Sequence, residues 1–402
     1  MKADFDILIA GGGMVGATLA CALGGNRLRV GVIEPQAVPV PGLEYDLRVS
    51  AISPASQAVF ENLGAWEAMR ARRVAPVERM HIWEQGGALD FDSAEIGAPC
   101  LAWIIENSVI VAALAARLQQ FANVELLCPA RLAAVDVDEQ LVSVRLDDGR
   151  ALRARLLVGA DGAGSRVRQA AAIGWRVHDL TQSALVAVVQ TEHEHGGCAY
   201  QHFLPTGPLA FLPLDDPQRV SIVWSADRAR AEALMALDDD GFNAELQAAF
   251  GDRLGLVQLA SKRAAIPLAL GFAHDYGAHR VALIGDAAHT VHPLAGQGVN
   301  LGILDSATLA EALLAAAREQ RDVGAHVVLR RYERARKGAD IGMQIVTGGF
   351  RYLFGSDWPG VRMLRQTGLT LTDRLPPLKH FFMRQASGLT GELPPLARRV
   401  LR

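Results

Sequence analysis

The chain has few cysteines, no Cys-x-x-Cys motif and a formal charge close to neutral. Its 402 residues include four cysteines (Cys21, Cys100, Cys128 and Cys198), which lie far apart. A zinc site or a disulfide framework is therefore not expected, and free thiols in a reducing cytosol fit this pattern best. The net charge of −3 gives no support to nucleic-acid binding, which depends on neutralising many phosphates.

The sequence also lacks the usual signals for export or for crossing a membrane. Asp4 and Asp6 precede a short apolar run, without the basic leader or the small-residue cleavage site of a secretory signal. We find no run of about twenty apolar residues, so we expect no transmembrane helix. These features predict a cytoplasmic protein that is soluble or peripherally attached at the inner membrane.

Three glycine-rich segments carry most of the information, and the first follows an apolar run at the N-terminus. Phe5–Ala10 is short, apolar and β-branched, as in a buried parallel strand. Gly11, Gly13 and Gly16 follow in the G-x-G-x-x-G spacing, just before a predicted helix. In this pattern the first glycine allows a tight turn, the second lets a pyrophosphate approach, and the third lets helix and strand pack closely. The helix N-terminus then favours phosphate binding.

The second predicted strand, Arg29–Glu34, ends on an acidic residue. Glu34 lies about twenty residues after the glycines, where a carboxylate accepts hydrogen bonds from the two ribose hydroxyls of an adenosine. Strand, turn, helix, strand and acid thus fall in register. The sequence predicts a dinucleotide-binding unit here rather than an ordinary glycine turn with a surface glutamate.

The second glycine-rich segment follows another apolar strand, Arg155–Ala160. Asp161 and Gly162 come next and are typical of turns, so from this segment alone a plain turn and a nucleotide loop both stay open. Arg166 and Arg168 favour the nucleotide loop, because guanidinium groups are well suited to hold phosphate.

The third segment begins with the apolar strand Arg280–Gly285. Asp286 lies at its carboxyl end, where ligands bind in open α/β sheets, and is placed to bond a polyol such as a ribityl chain. Pro293 restricts the backbone. Gly296 and Gly298 then open a helix whose N-terminus could stabilise negative charge on a bound ligand, and glycines let the backbone approach a planar ring.

Histidine pairs near two of these regions do not predict a metal site. His289 and His292 lie inside the glycine-rich loop without neighbouring Cys or His partners. His193 and His195 alternate with glutamates and are interpreted as part of a solvated turn.

Together the three segments resemble the flavoprotein aromatic hydroxylases of the p-hydroxybenzoate hydroxylase superfamily, and within it the ubiquinone-biosynthesis branch. The signature His-Pro-Leu-Ala-Gly-Gln-Gly-x-Asn-x-Gly-x-x-Asp of that branch is matched without a gap by His292–Asp305, which includes Asn300. Asp46–Ser53 and Ile105–Ile110 match further family segments. The resemblance implies that Arg48 lies close to the flavin and that Asn300 belongs with the cofactor-binding residues.

Within the branch, the chain is most similar to the 2-polyprenylphenol 6-hydroxylases, notably over Leu209–Leu214, Ser221–Ser225 and Leu329–Arg334. The resemblance implies an enzyme that uses FAD, O₂ and NAD(P)H, the last as a transient co-substrate, since only one dinucleotide fingerprint is present. Oxygen would form a flavin C4a-hydroperoxide that attacks an electron-rich ring. The implied substrate is a polyprenylated phenol hydroxylated at position 6. A methoxylated benzoquinol precursor attacked elsewhere on the ring and a prenyl reductase are the alternatives.

No catalytic side chain is assigned, because the resemblance gives the chemistry to the flavin; Pro293 and Gly296 are expected near its ring. The fold class expected is α/β: a Rossmann-type FAD-binding domain, an inserted antiparallel-sheet substrate domain and a C-terminal helical region. Residues 1–75, 98–175 and 270–340 are assigned to the FAD-binding domain, since the three segments must meet in space. Residues 76–97 and 176–269, which contain alternating apolar strands such as Leu185–Thr191, are assigned to the substrate domain.

The predicted helical region, 341–402, has more basic than acidic residues and several aromatic residues, in a chain that is slightly acidic overall. A solvated basic helix face that packs its aromatic residues on the flavin domain is one interpretation. Contact with an anionic membrane, or with an acidic partner in a ubiquinone-biosynthesis complex, is the other. The water-insoluble substrate implied by the resemblance favours the membrane.

Overall fold

A computed structural model describes residues 3–84, 87–291 and 298–338, together with short stretches between residues 375 and 398. The strands are β1 (Phe5–Ala10), β2 (Val30–Ile33), β3 (Val49–Ile52), β4 (Ala75–Val77), β5 (Arg79–Glu84), β6 (Gly87–Asp92), β7 (Ala102–Glu106), β8 (Val124–Leu127), β9 (Leu132–Val137), β10 (Val142–Leu146), β11 (Ala151–Gly159), β12 (Trp175–Thr191), β13 (Cys198–Leu204), β14 (Gly207–Pro213), β15 (Arg219–Asp227), β16 (Val257–Leu259), β17 (Ala264–Ala273), β18 (Gly277–Ala278), β19 (Val281–Leu283) and β20 (His289–Thr290). The helices are α1 (Met14–Ala22), α2 (Pro54–Leu63), α3 (Trp66–Arg70), α4 (Asn107–Leu118), α5 (Arg166–Ala170), α6 (Arg228–Ala236), α7 (Asp239–Phe250) and α8 (Gly298–Arg318), and a further helix covers residues 326–338.

The first sheet is parallel at its centre and has the order β18-β19-β11-β1-β2-β8. β1 lies between β2 and β11 and is parallel to both. Ile7, Leu8 and Ile9 have no exposed surface, because a central parallel strand is covered on both faces. Helix α1 packs against α4 and α8, while β9 and β10 extend β11 as an antiparallel meander.

The second sheet has the order β20-β17-β12-β15-β14-β13-β5-β6, with β16 added beside β12. Its pairs are antiparallel except β13 with β5. Most of its strands are contributed by one stretch of chain, β12 to β17, between the parallel strands β11 and β19 of the first sheet. The predicted α/β fold class with an inserted antiparallel sheet is confirmed. The domain bounds stay a prediction, and most of 341–402 lies outside the described residues.

The two faces of this sheet have different neighbours because side chains alternate along a strand. Leu185, Phe211 and Trp224 point to one face and form a core with α6 and α7. The opposite face packs partly on a three-stranded sheet of order β3-β7-β4, where Val188 and Leu212 meet Ile104. The part of this second face that the small sheet leaves uncovered lines the candidate site.

β12 is longer than expected, beginning at Trp175 rather than at Leu185. Its pairing with β17 shifts between Asp179 and Gln182, where Thr181 has a φ of 55°. Such a bulge interrupts the alternation of apolar and polar residues, and so it hides the first part of the strand from a pattern search.

One described helix, α8, is long and apolar enough to cross a membrane by length and composition alone. The expectation that the chain has no such stretch was therefore wrong. Ile303, Leu309 and Leu313 have no exposed surface, and Ser306 Oγ donates to the Val15 carbonyl of α1 at 2.8 Å. The apolar composition of α8 is accounted for by packing inside the first sheet's core.

His195 was expected in a solvated turn but is buried. Its Nε2 lies 3.0 Å from the carbonyl oxygen of Leu214 and 3.1 Å from that of Asp216. The imidazole therefore holds two loops together, whereas His193 is exposed as expected.

Candidate functional site

Two adjoining cavities lie at the carboxyl ends of the parallel strands. The larger, which we call the glycine-lined cavity, has a volume of about 710 Å³ and extends from the β1–α1 turn past Glu34 to Arg166. The smaller, which we call the apolar cavity, has a volume of about 470 Å³ and lies between the first and second sheets. Gly13, Arg48 and Asn107 line both, so the two form one elongated space.

The three glycines after β1 have separate structural roles. Gly11 has a φ of +104°, and a Cβ there would lie 2.3 Å from the Ala160 carbonyl oxygen. A Cβ on Gly16 would lie 1.9 Å from the Gly11 carbonyl oxygen, so helix and turn touch at that point. A Cβ on Gly13 would meet nothing within 4 Å. Gly13 thus leaves open space that a ligand backbone or phosphate can approach.

Glu34 lies beside this turn, at the end of β2. Its Oε2 accepts a hydrogen bond from the Gly12 N–H at 2.7 Å, and its Oε1 accepts one from the Gln36 N–H at 2.8 Å. These bonds fix the carboxylate at the wall of the glycine-lined cavity. Each oxygen keeps a second lone pair, which is what a ribose hydroxyl requires.

Asp161 and Gly162 form the loop after β11. Asp161 Oδ2 accepts from the backbone N–H groups of Arg166 and Val167 at the start of α5. Its Oδ1 is buried and accepts no hydrogen bond from the part of the chain that the structure describes, although Asp161 lines the glycine-lined cavity. Gly162 has a φ of +81°, which explains the glycine after the aspartate.

Of the two arginines that were predicted to hold phosphate, only one lines the cavity. Arg166 does so, and Arg48 is exposed at the junction of the two cavities. Arg168 is instead buried, and its guanidinium donates to the Ala287 and Ala163 carbonyls. The phosphate interpretation of Arg168 was therefore wrong. The structure adds Arg131, just before β9. No sequence motif marks this residue, because the pairing of β9 with β10 is what brings it to the cavity.

Asp286 lies in a single turn of 3-10 helix, Gly285–Ala287, at the junction with the apolar cavity. The surrounding protein raises the pKa of its carboxyl by desolvation, and the charges of His289 and Arg48 oppose that rise. Its side chain is nevertheless open to the cavity. Asp286 therefore presents its carboxyl group to the apolar cavity, and its bond to a polyol stays a prediction.

A fully buried carboxylate, Asp305 of α8, supports this turn from behind. Its Oδ2 accepts from the Gly285 N–H at 3.0 Å and lies 2.6 Å from His289 Nε2, while its Oδ1 accepts from Arg336 Nε at 2.7 Å. Burial would raise the pKa of Asp305, but the charges of His289 and Arg336 and their hydrogen bonds hold it at about 2. The ionised carboxylate therefore anchors the turn.

Of the other residues predicted in the third glycine-rich segment, the structure describes Gly298 and Asn300, and only Gly298 lines a cavity. Gly298 lines the apolar cavity, whereas His292, Pro293 and Gly296 lie outside the described residues. Asn300 is buried, and its side-chain amide bonds the backbone of Ala51 and Ser53 at 2.8 and 2.9 Å. That amide lines neither cavity, so in this structure it joins α8 to β3 and α2.

The second wall of the apolar cavity comes from the second sheet. It is formed by β12, β14, β15 and β17, through Ala184, Val186, Leu212, Val223, Ile266 and Leu268. Small side chains on β12 and β15 leave the space open above the Asp286 turn. Among the residues that the structure describes, no group of three or more His, Cys, Asp or Glu is placed to hold a metal ion.

A glycine-lined cavity that runs into an apolar one suits an enzyme that binds a dinucleotide beside an apolar substrate, and comparison with known proteins identifies the class of enzyme. A family model described as an FAD binding domain matches residues 4–347. Ubiquinone hydroxylase UbiL of Rhodospirillum rubrum is 41% identical over 402 residues, covering 99% of this chain and 92% of that protein. The 3-demethoxyubiquinol 3-hydroxylase of Escherichia coli is 39% identical over 388 residues, covering 96% and 98%.

Among solved structures, Pseudomonas aeruginosa PqsL in complex with 2-aminobenzoylacetate is similar, with a TM-score of 0.78 and 27% identity over 91% of this chain and 99% of that one. The chain belongs to the FAD-dependent hydroxylases of ubiquinone biosynthesis. It is an FAD-dependent aromatic hydroxylase, and NAD(P)H and O₂ are the usual co-substrates of its family.

Proposed function

We propose that the chain hydroxylates the aromatic ring of a polyprenylated phenol in ubiquinone biosynthesis, with position 6 of a 2-polyprenylphenol as the first candidate. The observation that carries this proposal is that the two cavities adjoin along Gly13, Arg48 and Asn107, and that the Asp286 turn forms part of the wall of the apolar one. A dinucleotide held along the glycine-lined cavity would end where the apolar cavity begins. An apolar ring can then be placed against the flavin with little water present.

In this proposal the residues of the glycine-lined cavity bind the adenosine and pyrophosphate. Gly11 and Gly16 shape the turn, Gly13 admits the pyrophosphate, and Glu34 accepts from the ribose hydroxyls. The N–H groups at the start of α1 face the phosphates. Arg48 adds positive charge at the junction of the cavities.

The remaining assigned residues would hold the central and flavin parts of the cofactor. Asp161 and Asp286 accept hydrogen bonds from hydroxyl groups of the chain between pyrophosphate and ring, and Gly162 and Gly298 let the backbone lie close. Pro293 and Gly296 belong to the same loop in the sequence and are proposed near the ring. When bound, FAD supplies the oxygen activation that no side chain can provide.

The protein's own contribution to the reaction is orientation and exclusion of water. The wall that includes Ala184, Val186 and Val223 is apolar, so it favours an aromatic ring over a hydrated ligand. Residues 76–97 and 176–269 are proposed as the substrate domain that carries this wall. Residues 341–402 stay the proposed contact with a membrane or a ubiquinone-biosynthesis complex.

A second candidate is attack at another ring position, in a demethoxyubiquinol. It is favoured by the relative from Escherichia coli that is named a 3-demethoxyubiquinol 3-hydroxylase and matches 96% of this chain. Among the described residues, those that β12, β14, β15 and β17 contribute to the apolar cavity have nonpolar side chains, which offer no directional bond that would select one ring carbon.

Deletion of the gene, followed by mass spectrometry of the prenylated compounds that accumulate, separates these candidates. Accumulation of a 2-polyprenylphenol supports the first candidate, and accumulation of a demethoxyubiquinol supports the second. Purified enzyme with FAD and NAD(P)H should consume O₂ when the accumulated compound is added. Substrate turnover without O₂ consumption would overturn the hydroxylase proposal in favour of a reductase.

A further inference from the structure

Arg168 is a buried arginine that contacts two loops of the candidate site at once. Its backbone is fixed at the start of α5, where its N–H donates to Ser165 Oγ at 3.0 Å. Its Nη1 donates to the Ala287 carbonyl at 2.8 Å, and its Nη2 donates to the Ala163 carbonyl at 2.6 Å. The guanidinium also lies 3.8 Å from the centre of the Trp175 ring.

The two carbonyls belong to the loops that follow β11 and β19. Ala163 comes two residues after Asp161, and Ala287 comes directly after Asp286. One rigid, planar group therefore sets the spacing of the two loops that present these carboxylates to the cavities. A lysine could not do the same, because its single nitrogen lacks the two-pronged donor geometry and the flat stacking surface.

Burial of the charged Arg168 side chain costs free energy, so its position calls for a structural reason. Arg168 is only 4% exposed and forms no salt bridge with any described residue. Desolvation lowers the pKa of the Arg168 guanidinium, and the charge of Asp161 offsets only part of that effect, so an apolar side chain of similar size would fill the same space at lower cost. The geometry of its two hydrogen bonds is what an apolar replacement would lose.

The turn that carries Asp286 is held at both ends. Asp305 accepts from the Gly285 N–H at its start, and Arg168 donates to the Ala287 carbonyl at its end. Asp305 connects the turn to α8, His289 and Arg336. Arg168 joins the turn to the loop of Asp161.

We propose that Arg168 is a positioning residue that couples the Asp161 loop to the Asp286 turn, so that both carboxylates address one FAD molecule together. The inference rests on the proposed assignment of these two carboxylates to FAD. Loss of a merely structural arginine would lower only the stability of the apoprotein. Loss of Arg168 should in addition weaken FAD binding. By comparison, residues that support metal ligands change metal affinity by roughly 10- to 100-fold when they are mutated.

The test measures FAD affinity and apoprotein unfolding for Arg168→Lys. We expect the FAD Kd to rise about tenfold, and FAD to raise the Tm of the variant by less than it raises that of the parent. Arg280→Lys is the matched control. Arg280 is similarly buried and donates to the carbonyls of Glu139 and Arg155 and also to the Asp322 carboxylate, but at the opposite end of β19 from the site. This control should lower the apoprotein Tm and leave the FAD Kd unchanged.

Trp175→Leu and Asp286→Ala complete the test. Trp175→Leu removes the stacking surface and keeps both hydrogen bonds of Arg168, so a rise in Kd of about threefold is expected even if Arg168→Lys does not fold. Equal Kd values for the Arg168, Trp175 and Arg280 variants, with only Tm lowered, would overturn the inference. An unchanged Kd for Asp286→Ala would instead overturn the assignment of Asp286 on which it rests.

Discussion

The glycine-lined cavity and the apolar cavity are neighbours, yet their walls are built in different ways. The first is formed by backbone groups and acids at strand ends, chiefly Gly13, Glu34 and Asp161. The second takes side chains from four strands of the antiparallel sheet, with Ala184 and Val223 among them. In the proposed assignment, binding of the cofactor therefore depends on short, contiguous motifs, whereas binding of the substrate depends on residues scattered along the chain.

The variant with the largest expected effect tests whether the missing side chain at Gly13 is what leaves room for the cofactor in the glycine-lined cavity. Gly13→Ala adds a methyl group to open space, so the apoprotein should fold with nearly unchanged Tm. The same methyl group would occupy the path of the pyrophosphate, and we expect the FAD Kd to rise by about 100-fold. Isothermal titration of the apoprotein with FAD measures this.

Gly16→Ala is the partner variant. Its Cβ would lie 1.9 Å from the Gly11 carbonyl oxygen, so α1 must shift and the apoprotein itself should lose stability by about 1–3 kcal/mol. A Gly13→Ala protein with unchanged FAD affinity would show that the cofactor does not approach this turn.

The second prediction concerns the buried support of the Asp286 turn. Asp305 has a pKa of about 2, below the value of about 3.9 for an unfolded chain. Between these values the unfolded chain binds more protons, so the stabilisation by Asp305 is complete above about pH 4 and is lost as the pH falls toward 2. Asp305→Asn should cost on the order of 2 kcal/mol at pH 7.

Urea unfolding of both proteins between pH 7 and pH 2.5 checks this. The difference in free energy of unfolding should shrink as the pH falls from about 4 toward 2.5. Asp322→Asn is a suitable comparison, since the pKa of that carboxyl is also lowered but the group is half-buried and remote from the cavities. A constant difference at every pH would contradict an ionised Asp305.

The same contrast explains how much of the site the sequence could predict. β1 was predicted over its observed range, and the roles of Gly11 and Gly16 follow from a spacing that the fold leaves intact. Such motifs are predictable because strand, turn and helix are adjacent in the chain. The signature around Asp305 pointed to the family, but its hydrogen bonds to Gly285 and His289 could not be derived from spacing.

What could not be predicted depends on burial and on distant pairing. Arginine is a common phosphate ligand. Only the burial of Arg168 against Trp175 shows that this side chain has a different role. Arg131 reaches its cavity through the pairing of β9 with β10, and the bulge near Thr181 hides the start of β12. The wall of the apolar cavity had no sequence signal, because its residues are ordinary apolar positions of four strands.

A third, smaller effect tests the apolar wall. Ala184→Phe should fill part of the cavity beside Val186 and Val223 and lower kcat/KM for the phenol about tenfold. The FAD content and the FAD Kd should change little, since the variant leaves the glycine-lined cavity intact. Ala184→Ser, which barely changes volume, is the control. Loss of FAD from Ala184→Phe would mean that the two cavities do not separate cofactor from substrate.

The smallest expected effect concerns Arg131, an exposed cation at the wall of the glycine-lined cavity. Because an exposed guanidinium is screened by water and salt, Arg131→Gln should raise the FAD Kd only about threefold at low salt, and less at high salt. Arg145→Gln removes an exposed arginine from neighbouring β10 that does not line the cavity, so it should leave the Kd unchanged. Equal effects of the two variants would mean that overall charge, rather than a contact at the cavity wall, accounts for any change. A loss confined to Arg131→Gln would show that side chains, as well as the glycine backbone, contribute to binding FAD.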